Sequence, residues 1–300
     1  MATFDLTLTR YSDNGDPQPL VVVPKGVSSI GRRAFFCDYG IRRVVVPEGV
    51  VSLGEESFAG CLHLEEVHLP STLLSIDDAA FRGCTRLRSA TLPRNVRRIG
   101  ARAFMRCGSL GSIALPASLA ELGKECFREC LSLERIAVPS GIATVEKATF
   151  KGCVHLREAE LSRGIEVLED DSFKGCRSLE ACSLPDSLGW IGRNAFSGCS
   201  MLGEMTIPDS VTSLEEGVFD SCASLSFLSV PSTLSFIDPN ACSRCSCEIE
   251  VRESGKTATS SAGQGECRSM ELLTANVEGA RDGAPALSSF KSATAKPQIA

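Results

Sequence analysis

Few residues of this 300-residue chain have types and spacing that could do chemistry. Cys242, Cys245 and Cys247 stand close together, and a thiolate set of this spacing could open a zinc or iron-sulfur site with Cys267 as a distant fourth ligand. No second tight cysteine pair accompanies them, so metal binding is the minor alternative. The three histidines, His63, His68 and His155, fall at variable polar positions rather than in one cleft, and paired acids such as Asp170 and Asp171 stand where any polar residue fits. No nucleophile with a neighbouring base and no glycine-rich phosphate loop can be assembled, which predicts a protein that is not an enzyme and needs no cofactor. The strongest charge feature is RGCTRLRSATLPRNVRRIGARAFMR, residues 82–106, which holds eight arginines and no acid. Guanidinium forks suit carboxylate or phosphate, so an anionic partner is expected over Arg86, Arg88, Arg94, Arg97, Arg98 and Arg102. Farther along, Glu158, Glu160, Glu166, Glu169, Asp170 and Asp171 form an opposite patch.

What must position these groups is an internal repeat of 23 residues. Proline recurs at 24, 47, 70, 93, 116, 139, 185, 208 and 231, with Ser162 in the one vacancy, and phenylalanine at 35, 58, 81, 104, 127, 150, 173, 196 and 219. From the second unit on, cysteine follows each phenylalanine by three positions. In one coil, residues 61–83, Val67 and Leu69 alternate with Glu66 and His68 as in a strand with one inward face. Pro70 ends that strand because it has no amide hydrogen to give. Leu73, Ile76, Ala80, Phe81 and Cys84 supply the rest of the lining. A single coil buries almost nothing, so stability must come from stacking, nearly as a sum of nearest-neighbour terms.

These limits divide the chain into an N-terminal capping strand and turn, 1–19, a solenoid of about ten coils, 20–251, and a disordered small-residue tail, 252–300. In the cap, Phe4, Leu6 and Leu8 alternate with polar residues; in the tail, MELLTANV (270–277) has the pattern of a helical turn or a docking peptide. Twelve of the fifteen cysteines fall at inward positions and read as buried thiols rather than disulfides, because side chains leaving stacked coils in parallel keep their β-carbons too far apart.

The unit L-x-x-V-x-L-P-x-S-V-x-x-I-G-x-x-A-F-x-G-C, seen in SLPDSLGWIGRNAFSGC and TIPDSVTSLEEGVFDSC, resembles the BspA-type, or Treponema-type, leucine-rich repeat over roughly residues 20–251. The resemblance implies a curved right-handed solenoid, β-rich, with a parallel sheet on its concave face and short turns, 3-10 or β segments on the convex side. It also implies, as one role found in that family, a surface antigen or adhesin that binds host proteins.

A net charge of −6 argues against a chain that coats nucleic acid or an anionic membrane, and no apolar run is long enough to cross a bilayer. The opening MATFDLTLTRYSDNGD has neither basic leader nor apolar core, and free thiols suit a reducing compartment. The expectation is a cytoplasmic monomer that acts as a noncatalytic protein-interaction scaffold, with a cell-surface or otherwise secreted adhesin as the alternative. Its contacts with a protein partner would come from outward columns: Arg43, Glu66, Arg135, Glu158, Glu204 and Phe227 in one, and His68 and Glu160 in the next, the latter running from Val45 to Ser229. Trp190 and Phe236 fall at a normally polar position and are candidate anchors.

The repeat makes a quantitative claim. Phe104→Ala, in mid-stack, should lower unfolding free energy by about 3 to 5 kcal/mol in urea denaturation, and a loss below about 1 kcal/mol would mean that the phenylalanine column is not core.

Overall fold

The computed structural model describes residues 6–8 and 19–252. By internal contacts the chain divides into Met1–Ala262 and Gly263–Ala300, and all described residues belong to the first unit. The tail beyond 252, with Cys267 and the 270–277 segment, lies outside the described residues, as does the turn at 9–18.

The architecture is a parallel-strand β-solenoid of about ten turns, and the described residues contain no helix. Each coil contributes to three ladders. The front ladder carries the strands before each proline: Leu20–Val22, Arg43–Val45, Glu66–His68 and Ser89–Ala90, then Arg135–Val138, Glu158–Leu161 and Ala181–Ser183, then Glu204–Thr206, Phe227–Pro231 and Glu248–Arg252. Every pairing is parallel, and between repeat coils the register is 23 residues, as in Arg43 opposite Glu66 and Arg135 opposite Glu158. The last strand runs through Arg252, one residue past the solenoid limit read from sequence.

The front ladder is interrupted twice, and both interruptions have the same local cause. The residue after the buried Ile41 or its leucine counterparts is Arg42, Glu65, Arg88, Glu134, Arg157, Glu180 or Ser226 elsewhere in the ladder, but at the two gaps it is Gly111, whose coil forms no strand, and Gly203, just before Glu204–Thr206. Glycine keeps the most backbone freedom and offers no side chain to pack on the pleat. At Gly111 only an isolated bridge, Ser89 to Ser112, survives.

After the proline the chain turns back, its carbonyl accepting the amide three residues on, as from Leu73 to Pro70 at 3.1 Å; Ser162 in the vacant position accepts from Ile165 in the same way. A second ladder of two-residue strands follows, including Ser52–Leu53, Ser75–Ile76, Arg98–Ile99 and Glu121–Leu122. The N-terminal strand Leu6–Leu8 joins it, pairing in parallel with Val27–Ile30.

The third ladder runs through the turn around each phenylalanine. Amides two before, at, and two after the phenylalanine donate to carbonyls of the following coil: Glu56, Phe58 and Gly60 reach Asp78, Ala80 and Arg82 at 2.7 to 2.9 Å. To aim every second amide the same way, the residues flanking the ring adopt left-handed backbone. That column holds Arg33, Glu56, Ala79, Arg102, Glu125, Ala148, Asp171 and Asn194 before the ring, all with φ of 53 to 58°. Such a backbone costs a side-chain-bearing residue of order 1 kcal/mol, which the ladder bonds and the packed ring offset.

Between the ladders lies a continuous core. The nine phenylalanines are all buried, and their rings stack face to face from Phe35 to Phe219, with centroids 4.8 to 5.7 Å apart and planes within 18°. Offset stacking adds roughly 0.5 to 1.5 kcal/mol per pair beyond burial. Beside the rings, the thiol of each column cysteine donates to the phenylalanine carbonyl of the coil before, as Cys107 does to Phe81 at 3.2 Å and Cys130 to Phe104 at 3.1 Å. That bond explains why cysteine, rather than valine, repeats there.

The glycine interruption can be checked directly. A β-carbon on Gly111 would meet nothing closer than the Ser132 carbonyl at 3.9 Å. Gly111→Ala should therefore raise stability by about 0.4 to 1 kcal/mol in urea unfolding, and a lower unfolding midpoint would refute this cause for the gap.

Candidate functional site

The front sheet presents two outward columns. In the first, Arg43, Ser89, Ser112, Arg135, Ala181 and Glu204 are exposed, while Glu66, Glu158 and Phe227 are half-buried. Polar side chains pair along and within the coils: Arg135 Nε lies 3.6 Å from Glu158, and His68 Nε2 lies 3.1 Å from Glu66. In the second column His68, Thr91, Ala114, Ala137, Glu160, Ser183 and Thr206 are exposed. Ser229 departs from the expected outward position: it is buried, between Thr206 and Glu250 in the five-residue pairing of the last two strands. In the middle of the face, Ser89, Thr91, Ser112, Ala114 and Ala137 leave a stretch without long side chains.

The remaining candidates do not share this surface. Arg98, Trp190 and Phe236 lie in one column of the second ladder, where Trp190 is half-buried opposite Val167 and Phe236 is exposed opposite Ser213. Arg102 belongs to the third ladder, and Arg86, Arg88, Arg94 and Arg97 are exposed around the same coil.

Arg97 and Arg98, equivalent as neighbours in sequence, differ in place. Arg97 has no ion pair among the described residues. Arg98 lies 2.7 Å from Asp77, 3.3 Å from Asp78 and 3.2 Å from Glu121. Burial raises the Asp77 pKa in spite of that guanidinium.

The arginine segment, acid-free along the chain, is therefore not acid-free in space. Arg102 makes two hydrogen bonds to Glu125 at 3.1 and 3.2 Å, Arg128 bridges Glu125 and Glu129, and Arg106 meets Glu129 at 2.8 Å. On the preceding coils Glu56, nearly buried, is held between Arg33 and Arg82. Reading residues 23 positions apart would have found Arg102–Glu125 and Arg106–Glu129; reading along the chain hides them.

At the C-terminal end of the solenoid the three clustered cysteines divide. Cys245 turns its thiol to the Phe219 carbonyl at 2.7 Å, as every column cysteine does. Cys242, standing where the next phenylalanine would be, faces Cys247, and the hydrogen bond from Cys242 holds the Cys247 thiol down at about 7. Cys245 stays within electrostatic reach of both, and among the described residues no group of three His, Cys, Asp or Glu side chains is placed to hold a metal ion. All fourteen described cysteines are free, and burial pushes the column thiols up, Cys61 and Cys153 to about 12.

The BspA-type leucine-rich repeat region matches residues 18–134 and 120–248, in six copies. A leucine-rich repeat protein from Bacteroides ovatus is similar at 29% identity with a TM-score of 0.71, over 77% of this chain and 63% of that one. A leucine-rich repeat protein of T. pallidum is similar at 28% identity with a TM-score of 0.52, over 65% of this chain and 82% of its own. The chain thus spans under two thirds of the Bacteroides protein's length. No curated protein matches the chain by sequence.

The charge network predicts a pH response. Hydrogen bonds from Arg102 and Arg106 hold the Glu125 and Glu129 carboxyls below the usual 4.5. A depressed folded pKa means stability present above the unfolded value and lost as pH falls through the folded one. Melting temperature should therefore fall as pH drops below about 4.5, and Glu125→Gln with Glu129→Gln should flatten that fall. An unchanged slope in the double variant would remove the network from the account.

Proposed function

This chain belongs to the BspA-type leucine-rich repeat family, and on that premise we propose that it is a noncatalytic scaffold that binds a protein partner across its front sheet. The observation that carries the reading is the outward surface of the paired strands. Small exposed residues, Ser89, Ser112, Ala114 and Ala137, allow close approach of an extended segment. Charged residues border them: Glu66 and His68 on one side, Arg135, Glu158 and Glu160 on the other. The inward columns are used up by packing, so recognition falls to these outward ones.

The absence of catalysis is part of the proposal and rests on the same logic. Successive coils place their polar groups in parallel columns, so groups of different kinds do not converge on one reacting atom. A partner on the front sheet would meet Arg43, Glu204 and Phe227 at the ends of the face, while Trp190 and Phe236 stand on another side and would serve a different contact.

For compartment, the free thiols support a reducing cytoplasm. A cell-surface adhesin is the second reading. It is favoured by the depth of those thiols: with pKa values raised by burial they resist oxidation even in an oxidising medium. Protease treatment of intact cells separates the two, since digestion of the chain would place it on the surface and full protection inside.

The binding face is tested by proximity labelling with the native chain and with an Ala114→Trp, Ala137→Trp variant. Both positions are exposed, so the melting temperature should stay within about 1 °C, because surface changes cost little. Proteins labelled by the native chain should fall by roughly tenfold with the variant. Equal labelling by the two would exclude the front sheet as the binding face.

A further inference from the structure

We propose that the third ladder carries a second binding site, an arginine-rimmed groove that takes an acidic peptide segment bearing a bulky apolar side chain. This site lies apart from the front sheet, and its existence does not rest on the reading given above.

The groove has a local cause. Two residues after each phenylalanine the chain again takes left-handed backbone, and this column holds Gly60 and Gly83 in successive coils, then Arg106 and Glu129. At Gly83 a β-carbon would meet only the Gly60 backbone at 3.9 Å, so the turn there is open, while the Cys37 thiol stands over the turn at Gly60 and lines the same space. The result is a cavity of about 600 Å³ opening over these coils, of a size that fits a few peptide side chains.

Its walls are of two kinds. Phe36 and Leu62, each 41% exposed, line it together with Met105. Arg82, Arg106 and Arg128 line it as well, and with Arg102 they face a single lining carboxylate, Glu125. Side chains of an acidic protein have thus been gathered into a locally positive, partly apolar pocket.

The arginines are held in place without being used up. Arg82 gives one terminal nitrogen to Glu56 at 2.8 Å, and Arg106 gives Nε to Glu129 at 2.8 Å. A guanidinium has five N–H donors, so both keep donors for a visiting carboxylate while their carboxylate partners fix their orientation.

Charge complementarity selects the occupant. Four arginines against Glu125 in the wall and Glu56 and Glu129 beside it leave one positive charge in excess, with unused guanidinium donors, which calls for an anion. The apolar wall of Phe36, Leu62 and Met105 calls for an aliphatic or aromatic group attached to it. A peptide with alternating acidic and apolar side chains supplies both, whereas a polyanion such as nucleic acid meets the repulsion of a chain with net charge −6 over its remaining surface.

The test is fluorescence anisotropy on the full chain with a fluorescein-labelled hexapeptide of alternating glutamate and leucine, and with its glutamine-for-glutamate analogue. Gly83→Glu fills the groove, and the fold should accept it because Arg106 and Glu129 occupy the same column at φ of 62 and 60°. Arg82→Gln with Arg106→Gln removes charge without filling. Arg177→Gln, exposed on a distant coil, is the control for general charge. Saturable binding of the acidic peptide is expected, weaker by roughly tenfold for the glutamine analogue, for Gly83→Glu and for the double arginine variant, and unchanged for Arg177→Gln. Absence of saturable binding, full binding by Gly83→Glu, or an equal loss in Arg177→Gln would overturn the proposal.

Discussion

Contact between a residue and its counterpart 23 positions away is the interaction on which everything else in this molecule depends. A phenylalanine ring stacks on the ring of the next coil, a cysteine thiol caps the phenylalanine carbonyl of the previous one, and three parallel ladders tie the backbones together. Each of these is a neighbour term, and none exists within one coil alone. The same constraint sets the unusual backbone of the turn. Arg102 and Glu125 tolerate left-handed conformation because the ladder amides on either side would otherwise lose their acceptors in the following coil.

The consequence for function is a division of labour. Inward columns are spent on packing, so what distinguishes this chain from a bare stack is written on its outward columns. Those columns form separate surfaces: a small-residue front face, a second side with Arg98, Trp190 and Phe236, and a turn side whose arginines and glutamates pair from coil to coil. Two different recognition surfaces on one rigid frame suit a protein that holds partners, and the front face and the arginine groove are the proposals that follow.

Much of the architecture is legible in the repeat itself. Proline, phenylalanine and cysteine recur in register, and Val67, Leu73, Ile76, Ala80, Phe81 and Cys84 are buried as their spacing predicts. Less legible is whatever depends on the contact between coils rather than on the order of residues along the chain. Arg98 and Arg102 read as part of an acid-free run, yet their partners Glu121 and Glu125 lie one repeat on, outside any linear window. The left-handed columns are hidden because arginine, glutamate and alanine occupy them as readily as glycine does. Ser229 carries the pattern of an exposed position, and nothing in its spacing marks it as buried. Gly111 and Gly203 are plain in the letters, but they mark gaps only in relation to the paired strands on either side.

One measurement bears most directly on stacking by this period. Deleting residues 107–129, one full repeat, rejoins Arg106 to Cys130 and restores every column, whereas deleting only 107–117 shifts all later columns out of register. Urea unfolding of the full-repeat deletion should remain a single cooperative transition with an m-value lower by about a tenth, in proportion to the surface buried, while the partial deletion should lose its cooperative transition. Equal damage from the two deletions would contradict the account, because it would mean that something other than coil-on-coil register holds the molecule together.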